Sequence, residues 1–138
     1  MTRRARAAAA GAVAATAWAA LEPLDRRLFR YGYSDVALLG KFATRGRWWR
    51  PAGLALHALN GAAFGVVYDE LRRRRGVSAF RLALAEHVAL FPLSALVDRH
   101  HPARGTDGVP RLVHPRAFAQ ATVRHALFGV LLGRLAKR

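Results

Sequence analysis

Ionisable side chains interrupt the most apolar stretches of this chain. His57 lies in residues 51–68, a run of 18 with no Asp, Glu, Lys or Arg. Glu86 and His87 are adjacent within 78–97, and Arg124 and His125 are adjacent within 117–133. Asn60 lies one turn from His57. An imidazole, a carboxylate and a guanidinium in such surroundings can relay protons, hold an ion, or satisfy one another as buried partners. Ionisable groups within a membrane are functional candidates for this reason. The plainer reading of the histidines is interhelical hydrogen bonding.

The histidines also repeat. "HALNGAAFG" at 57–65 and "HALFGVLLG" at 125–133 agree at five of nine positions and lie 68 residues apart. His, Gly and Gly at i, i+4 and i+8 fall within about 80° on one helix face. Gly61 and Gly65, and again Gly129 and Gly133, therefore form grooves where a second helix backbone can approach closely. A second match, "ALEPL" (20–24) with "ALFPL" (89–93), is followed in each half by Asp-Arg, at Asp25-Arg26 and Asp98-Arg99. A proline then precedes each His-Gly run, Pro51 and Pro115. The order suggests two hairpins, halves 1–69 and 70–138, related by a pseudo-twofold axis along a membrane normal.

Other chemistry is absent or weakly indicated. There is no Cys, which excludes thiolate nucleophiles, disulfides and thiolate zinc sites. No P-loop, dinucleotide fingerprint, G-x-S-x-G or H-E-x-x-H pattern occurs. Asp98, His100, His101 and His114 could gather on one face, but their spacing fits no zinc pattern. No catalytic residue, metal or cofactor is expected.

Elements that could position the polar groups follow from the apolar runs. The chain has 138 residues, net charge +15 and 53% hydrophobic residues, yet a mean hydropathy of only +0.06. Charge and apolar residues are therefore segregated. A spanning helix needs about 20 mostly apolar residues. Four spans are expected, near 7–21, 51–71, 78–97 and 116–135; the second is the cleanest, the third and fourth carry internal charge, and the first is short and mostly Ala. Arg124 costs insertion of the fourth about 2.5–3.5 kcal/mol, nearly cancelling the roughly 0.3–0.6 kcal/mol from each of its Leu, Phe and Val residues. Glu86 falls within about one turn of Arg124 in depth if 98–116 is the connecting loop. A Glu86–Arg124 pair is the expected compensation.

The first loop is longer. "SDVALLGKFAT" (34–44) reads as a short amphipathic interfacial helix, with Ser34 as N-cap and Val36, Leu39 and Phe42 on one face. Asp35 and Lys41 lie off that face. Trp48 and Trp49 suit an aromatic belt. Segments 1–6, 69–81 and 134–138 hold 11 Lys/Arg in 24 residues, whereas 22–50 and 98–116 hold 11 in 48. That density, with Arg72, Arg73, Arg74 and Arg75 as an anchor on anionic lipid, predicts both termini inside. "TRRAR" before an Ala-rich core and "AWA" (17–19) also resembles a cleavable leader.

Three stretches carry a family resemblance: "RPAGLALHALNGAAFG", "EHVALFPLSALVDRHHP" and "FAQATVRHALFGVLLG". Over about residues 20–135 the chain resembles a group of small integral membrane proteins of high-GC bacteria. It is more loosely similar to the YagU-type inner-membrane family. The resemblance implies a helical inner-membrane protein and points to His57, Gly61, Gly65, Glu86, His87, His125 and Gly129, with no activity attached.

The expectation is an all-α, multi-pass protein of the bacterial inner membrane. It is a single four-helix bundle of two tandem hairpins with an interfacial helix in the first loop. Its first functional reading is a non-enzymatic accessory bundle, its seams serving helix association within the chain, in a homo-oligomer or with a membrane partner. The alternative is a small proton- or ion-coupled transporter using His57, Glu86, His87 and His125. A third is a soluble basic helical protein that binds nucleic acid, against which the uncharged 51–68 run argues. No nucleic-acid partner is expected.

Overall fold

The computed structural model describes residues 1–136, and among these every regular element is a helix. The helices are α1 (Arg3–Phe29), α2 (Asp35–Ala43), α3 (Trp49–Arg75), α4 (Ala79–Leu90), α5 (Ser94–His100) and α6 (Pro115–Leu135). A single 3-10 turn, Phe91–Leu93, joins α4 to α5. Pro92 has no N–H to donate back into α4, so the ladder is interrupted there. In α1 the corresponding Pro23 is absorbed and the helix continues to Phe29. It thus runs eight residues past the expected end at 21, with Arg26 and Arg27 in a last turn whose carbonyls favour cations.

Small residues set the packing. α1 buries Ala7, Ala10, Gly11, Ala14, Ala15 and Trp18, a stripe at three- and four-residue spacing. α3 buries Gly53, His57, Gly61, Gly65 and Tyr68 along one line. The two helices pack along their lengths, as do α4 and α6, and α1 also meets α6 to join the pairs. At the closest approach a Cβ on Gly11 would collide with the Gly61 carbonyl oxygen, and one on Gly65 with the Ala7 carbonyl oxygen. A Cβ on Gly129 would lie 2.7 Å from the Phe80 Cα and 3.0 Å from the Ala79 carbonyl oxygen, so the α4–α6 seam also needs glycine. Gly133 faces the same seam more loosely: a Cβ there meets only the Ala79 side chain, at an ordinary 3.6 Å, so that position does not require glycine.

The helix in the first loop forms as its sequence suggests but presents a different face. Ser34 caps it, accepting from the Ala37 N–H at 3.0 Å. Its closest approach to α3 is through Gly40 against Gly53, where added Cβ atoms would strike the Trp49 and Val36 carbonyl oxygens. Ala37 and Gly40 are its buried residues, whereas Phe42 is 72% exposed. Close backbone contact, not the largest apolar side chain, decides which face turns inward.

The ends of the bundle separate as the charge pattern suggests. Arg3 pairs with Asp69 at 3.1 Å, and an Arg72 guanidinium N–H donates to the Ala136 carbonyl at 3.5 Å. The N-terminus, the α3–α4 turn and the end of α6 therefore share one end. At the other end Arg26 pairs with Asp107 at 2.5 Å, and His101 bonds the Leu38 carbonyl at 2.9 Å. Two helical stretches, Arg3–Phe29 and Ala79–His100, are long and apolar enough to cross a membrane. The expectation that 51–68 is the cleanest of the four is not met by that measure. His57, Asn60 and its glycines dilute the apolar residues, as Gln120, Arg124 and His125 do in α6.

Candidate functional site

A cavity of about 340 Å³ lies between the two hairpins beneath α2. His57, Asn60, Glu86, His87 and His125 all line it, so five of the six polar residues singled out from the sequence share one space. The sixth, Arg124, stands behind its wall and is 2% exposed. Trp18, Tyr33 and Ser94, to which the sequence reading gave no role, join the polar lining together with Asp35.

Arg124 does not pair with Glu86. It donates to both carboxylate oxygens of Asp25, to Asp35 at 2.6 Å and to the Tyr33 carbonyl at 3.0 Å, with Glu22 at 3.6 Å. This is a fork of donors saturated by acceptors. Glu22 in turn accepts from the Ser34 hydroxyl at 2.5 Å and the Asp35 N–H at 2.8 Å, tying the start of α2 to α1. Asp98 plays a matching part in the second hairpin, accepting from the N–H groups of Leu112 and Val113 at 2.6 and 2.8 Å. That bond explains the placement of Asp98. His101 reaches across to α2 and His114 caps α6, so neither waits with Asp98 for a metal.

Asp35 lies off the apolar face of α2 as expected, but it turns into the bundle. Burial pushes its carboxyl up. The Arg124 guanidinium, the imidazoles of His57 and His125, and the Tyr33 hydroxyl donating at 2.5 Å together bring it below the usual aspartate range. A depressed carboxyl stabilises the fold fully above the ordinary aspartate range and ceases to do so as pH falls through its lowered value. The thermal midpoint of the wild type should therefore fall on acidification more steeply than that of Asp35→Asn. Parallel acid limbs would remove this role from Asp35.

Hydrogen-bond partners assign the histidine tautomers. The Thr122 hydroxyl donates to the Phe118 carbonyl at 2.8 Å, so it accepts from His87, whose Nε2 lies 2.9 Å away and must carry the proton. His125 Nδ1 lies 2.8 Å from the Ala121 carbonyl and must donate to it. Its Nε2 then presents a lone pair toward Glu86 Oε2, 3.9 Å away. The His87 and His125 rings stack with centroids 4.8 Å apart. Trp18 stands between the hairpins, its ring 4.9 Å from His57 and 4.9 Å from His125. The pairs Trp18–His57 and His87–His125 occupy corresponding places in the two hairpins, offset by 69 and 68 residues.

No family model, curated protein or solved structure matches the chain. The glycines do not lead to a partner: Gly11, Gly61, Gly65 and Gly129 are covered by the chain's own helices. Arg72, Arg73, Arg74 and Arg75 close α3 at the end opposite α2, with Arg73 and Arg74 held by Glu70 and Arg72 near Asp69 at 3.9 Å.

Proposed function

We propose that the protein is a four-span membrane bundle that takes up a proton at the His125–Glu86 pair and couples it to traffic through the cavity between the hairpins. The observation that carries this reading is the facing of two acceptors. His125 Nε2 has a lone pair once Nδ1 donates to Ala121, and Glu86 Oε2 lies opposite it at 3.9 Å. One proton is what either group needs to attract the other. His87 and Trp18 extend that pair toward His57 by ring contacts of less than 5 Å.

An inside-out distribution supports the four spans. Arg124 and Gln120 are among the largest fully buried side chains, while Leu24, Leu59, Val88 and Val123 are between 49% and 67% exposed. Each belongs to a different long helix. Large apolar side chains exposed on each of these helices suit a lipid surround, which accepts them without cost. The basic segments 69–81 and 134–138 would face the cytoplasm and anionic lipid, with both termini inside. Such a protein would belong in the inner membrane of a bacterium.

Reconstitution with an enclosed pH dye tests the coupling. The wild type should let protons enter liposomes under a membrane potential. Glu86→Gln and His125→Ala should abolish entry, and Glu86→Gln should retain the wild-type thermal midpoint, since the Glu86 side chain is 38% exposed. Undiminished entry in both variants would overturn the proposal. Alkaline carbonate extraction should leave the protein in the membrane pellet, and its release would remove the bilayer from the account.

A further inference from the structure

The cavity holds a carboxylate that a ligand can reach. The Glu86 side chain is 38% exposed and that of His125 is 17% exposed. No Lys or Arg lines the cavity, and among the described residues His125 is the one ionic neighbour of Glu86. At the wall three acids, Glu22, Asp25 and Asp35, meet a single guanidinium, that of Arg124. In a chain of net charge +15 this space therefore carries a local excess of acid. Its field attracts a cation and repels an anion, most strongly where water is excluded.

The lining narrows the kind of cation. Among the described residues no three His, Asp or Glu side chains gather closely enough to hold a metal ion. Hard metal ions need more ligands than Glu86 and His125 supply. The rest of the lining is largely aromatic and aliphatic, with Phe64, Phe91, Phe128, Leu39 and Leu90. Aromatic ring faces attract organic cations, and the aliphatic walls accept a hydrocarbon body. Glu86 Oε2 and His125 Nε2 both accept, and they lie 3.9 Å apart. One ammonium can bridge that gap with two N–H bonds of about 2.9 Å. A quaternary cation has no N–H to give to either atom. The volume of about 340 Å³ suits a single ring with a short arm.

We infer that the cavity binds a small apolar amine in its protonated form, the ammonium bridging Glu86 and His125 in the place of the proton. This rests on the proton-uptake reading of the same pair and names the substrate class exchanged for that proton. The charges balance, because the arriving ammonium displaces one proton and the pair holds one positive charge at a time. The titratable groups that share the cavity with Glu86 are His87 on its own helix, His125 on α6, His57 on α3, and Tyr33 and Asp35 around the start of α2. Arg124 stands behind the wall, held by its acids. Acid discharges Glu86 and charges the imidazoles, so every one of these titrations weakens the hold on a cation.

The full chain in detergent is titrated calorimetrically with 2-phenylethylamine, which is protonated near neutral pH. Saturable binding is expected. 2-Phenylethanol keeps the body and replaces the ammonium by a neutral hydroxyl, and phenylacetate reverses the charge; neither should displace the amine. Glu86→Gln should weaken binding about tenfold, the loss of one charge-assisted hydrogen bond. Glu86→Asp keeps the charge and should recover part of that loss. Phe91→Leu should weaken binding about threefold through the lost ring face. Acidification should weaken binding to the wild type, and the amine stays protonated throughout, so that change belongs to the protein. Absence of saturable binding, displacement by the alcohol or the carboxylate, or affinity undiminished both in acid and in Glu86→Gln would each overturn the inference. The wild-type controls and the acid titration decide the matter even where Glu86→Gln fails to fold. Proton entry into liposomes without amine binding removes this inference alone. Amine binding without proton entry removes the coupling and keeps the site.

Discussion

Arg124→Leu is expected to unfold the bundle or to cost it about 3–5 kcal/mol, the usual penalty for breaking a buried charge network on one side. The guanidinium is 2% exposed and, among the described residues, is the only cation that pairs with Asp25, Asp35 and Glu22 at once. Its loss leaves carboxylates buried without a cation. The partners lie on α1 and α2, so the same residue fastens three helices: α6 to the end of α1 and to the first turn of α2. Arg124→Lys keeps the charge but not the planar fork, and should recover only part of the loss. A double-mutant cycle by denaturant unfolding in detergent identifies the partner. Arg124→Leu and Asp25→Asn should be strongly non-additive, because each alone strands the other's charge. Arg124→Leu and Glu86→Gln should add. The reverse pattern would restore the Glu86 pair that depth along the helices suggests.

Gly61→Ala is the second large effect, and its sign is the informative part. Alanine in a helix interior ordinarily gains about 1 kcal/mol over glycine. At Gly61 the new Cβ would meet the Ala15 Cβ and the Gly11 carbonyl, so α1 and α3 must move apart along the whole seam. A loss of about 1–3 kcal/mol is expected, the range for overpacking a closely packed site. Gly133→Ala makes only a 3.6 Å contact and should be neutral or stabilising. Both are glycines of the repeated motif, Gly61 the first in its copy and Gly133 the second in its own, yet the two substitutions should shift the thermal midpoint in opposite directions. Equal shifts would mean that the glycines are not closing the seam between α1 and α3.

Much of the architecture is legible in the chain because apolar length and small-residue spacing are local properties. The runs at 51–71, 78–97 and 116–135 became α3, the α4–α5 rod and α6 within a few residues. Ser34 announced α2. The identity of Arg124's partners was not legible, for a physical reason. Asp25 and Asp35 lie 99 and 89 positions away; Glu22 and Asp25 read as loop residues until α1 is seen to run through Pro23 to Phe29, and Asp35 reads as the polar side of an interfacial helix. Once α1 is that long, its last two turns descend beside α6 and carry the acids with them. Depth in a hairpin left Glu86 as the obvious partner because it was the sole acid within the two runs.

The site was half legible. His57, Glu86, His87 and His125 were marked out by being ionisable inside apolar helices, but nothing local says that they converge. Convergence follows from the α1–α6 contact that joins the hairpins. Trp18 was missed, although a signal existed. It is the one large side chain in an alanine-rich face, and it stands 69 residues before His87, in the same register as the His-Gly repeat. A bulky ring on a helix that otherwise packs through alanines must fill a space, and that space is the cavity.

The cysteine-free sequence permits a direct test of a water-lined cavity within a lipid-embedded bundle. Asn60 lines the cavity, whereas the next residue back, Leu59, is 67% exposed on the outside of α3. Adjacent helical residues point about 100° apart. Single variants Asn60→Cys and Leu59→Cys, in sealed membranes, are treated with a small water-soluble thiol reagent that reacts with the thiolate. Asn60→Cys should label and Leu59→Cys should not, because a thiol facing hydrocarbon stays protonated. Rapid labelling of Leu59→Cys would place the helix in water, and failure of Asn60→Cys to label would close the cavity; either result contradicts the account.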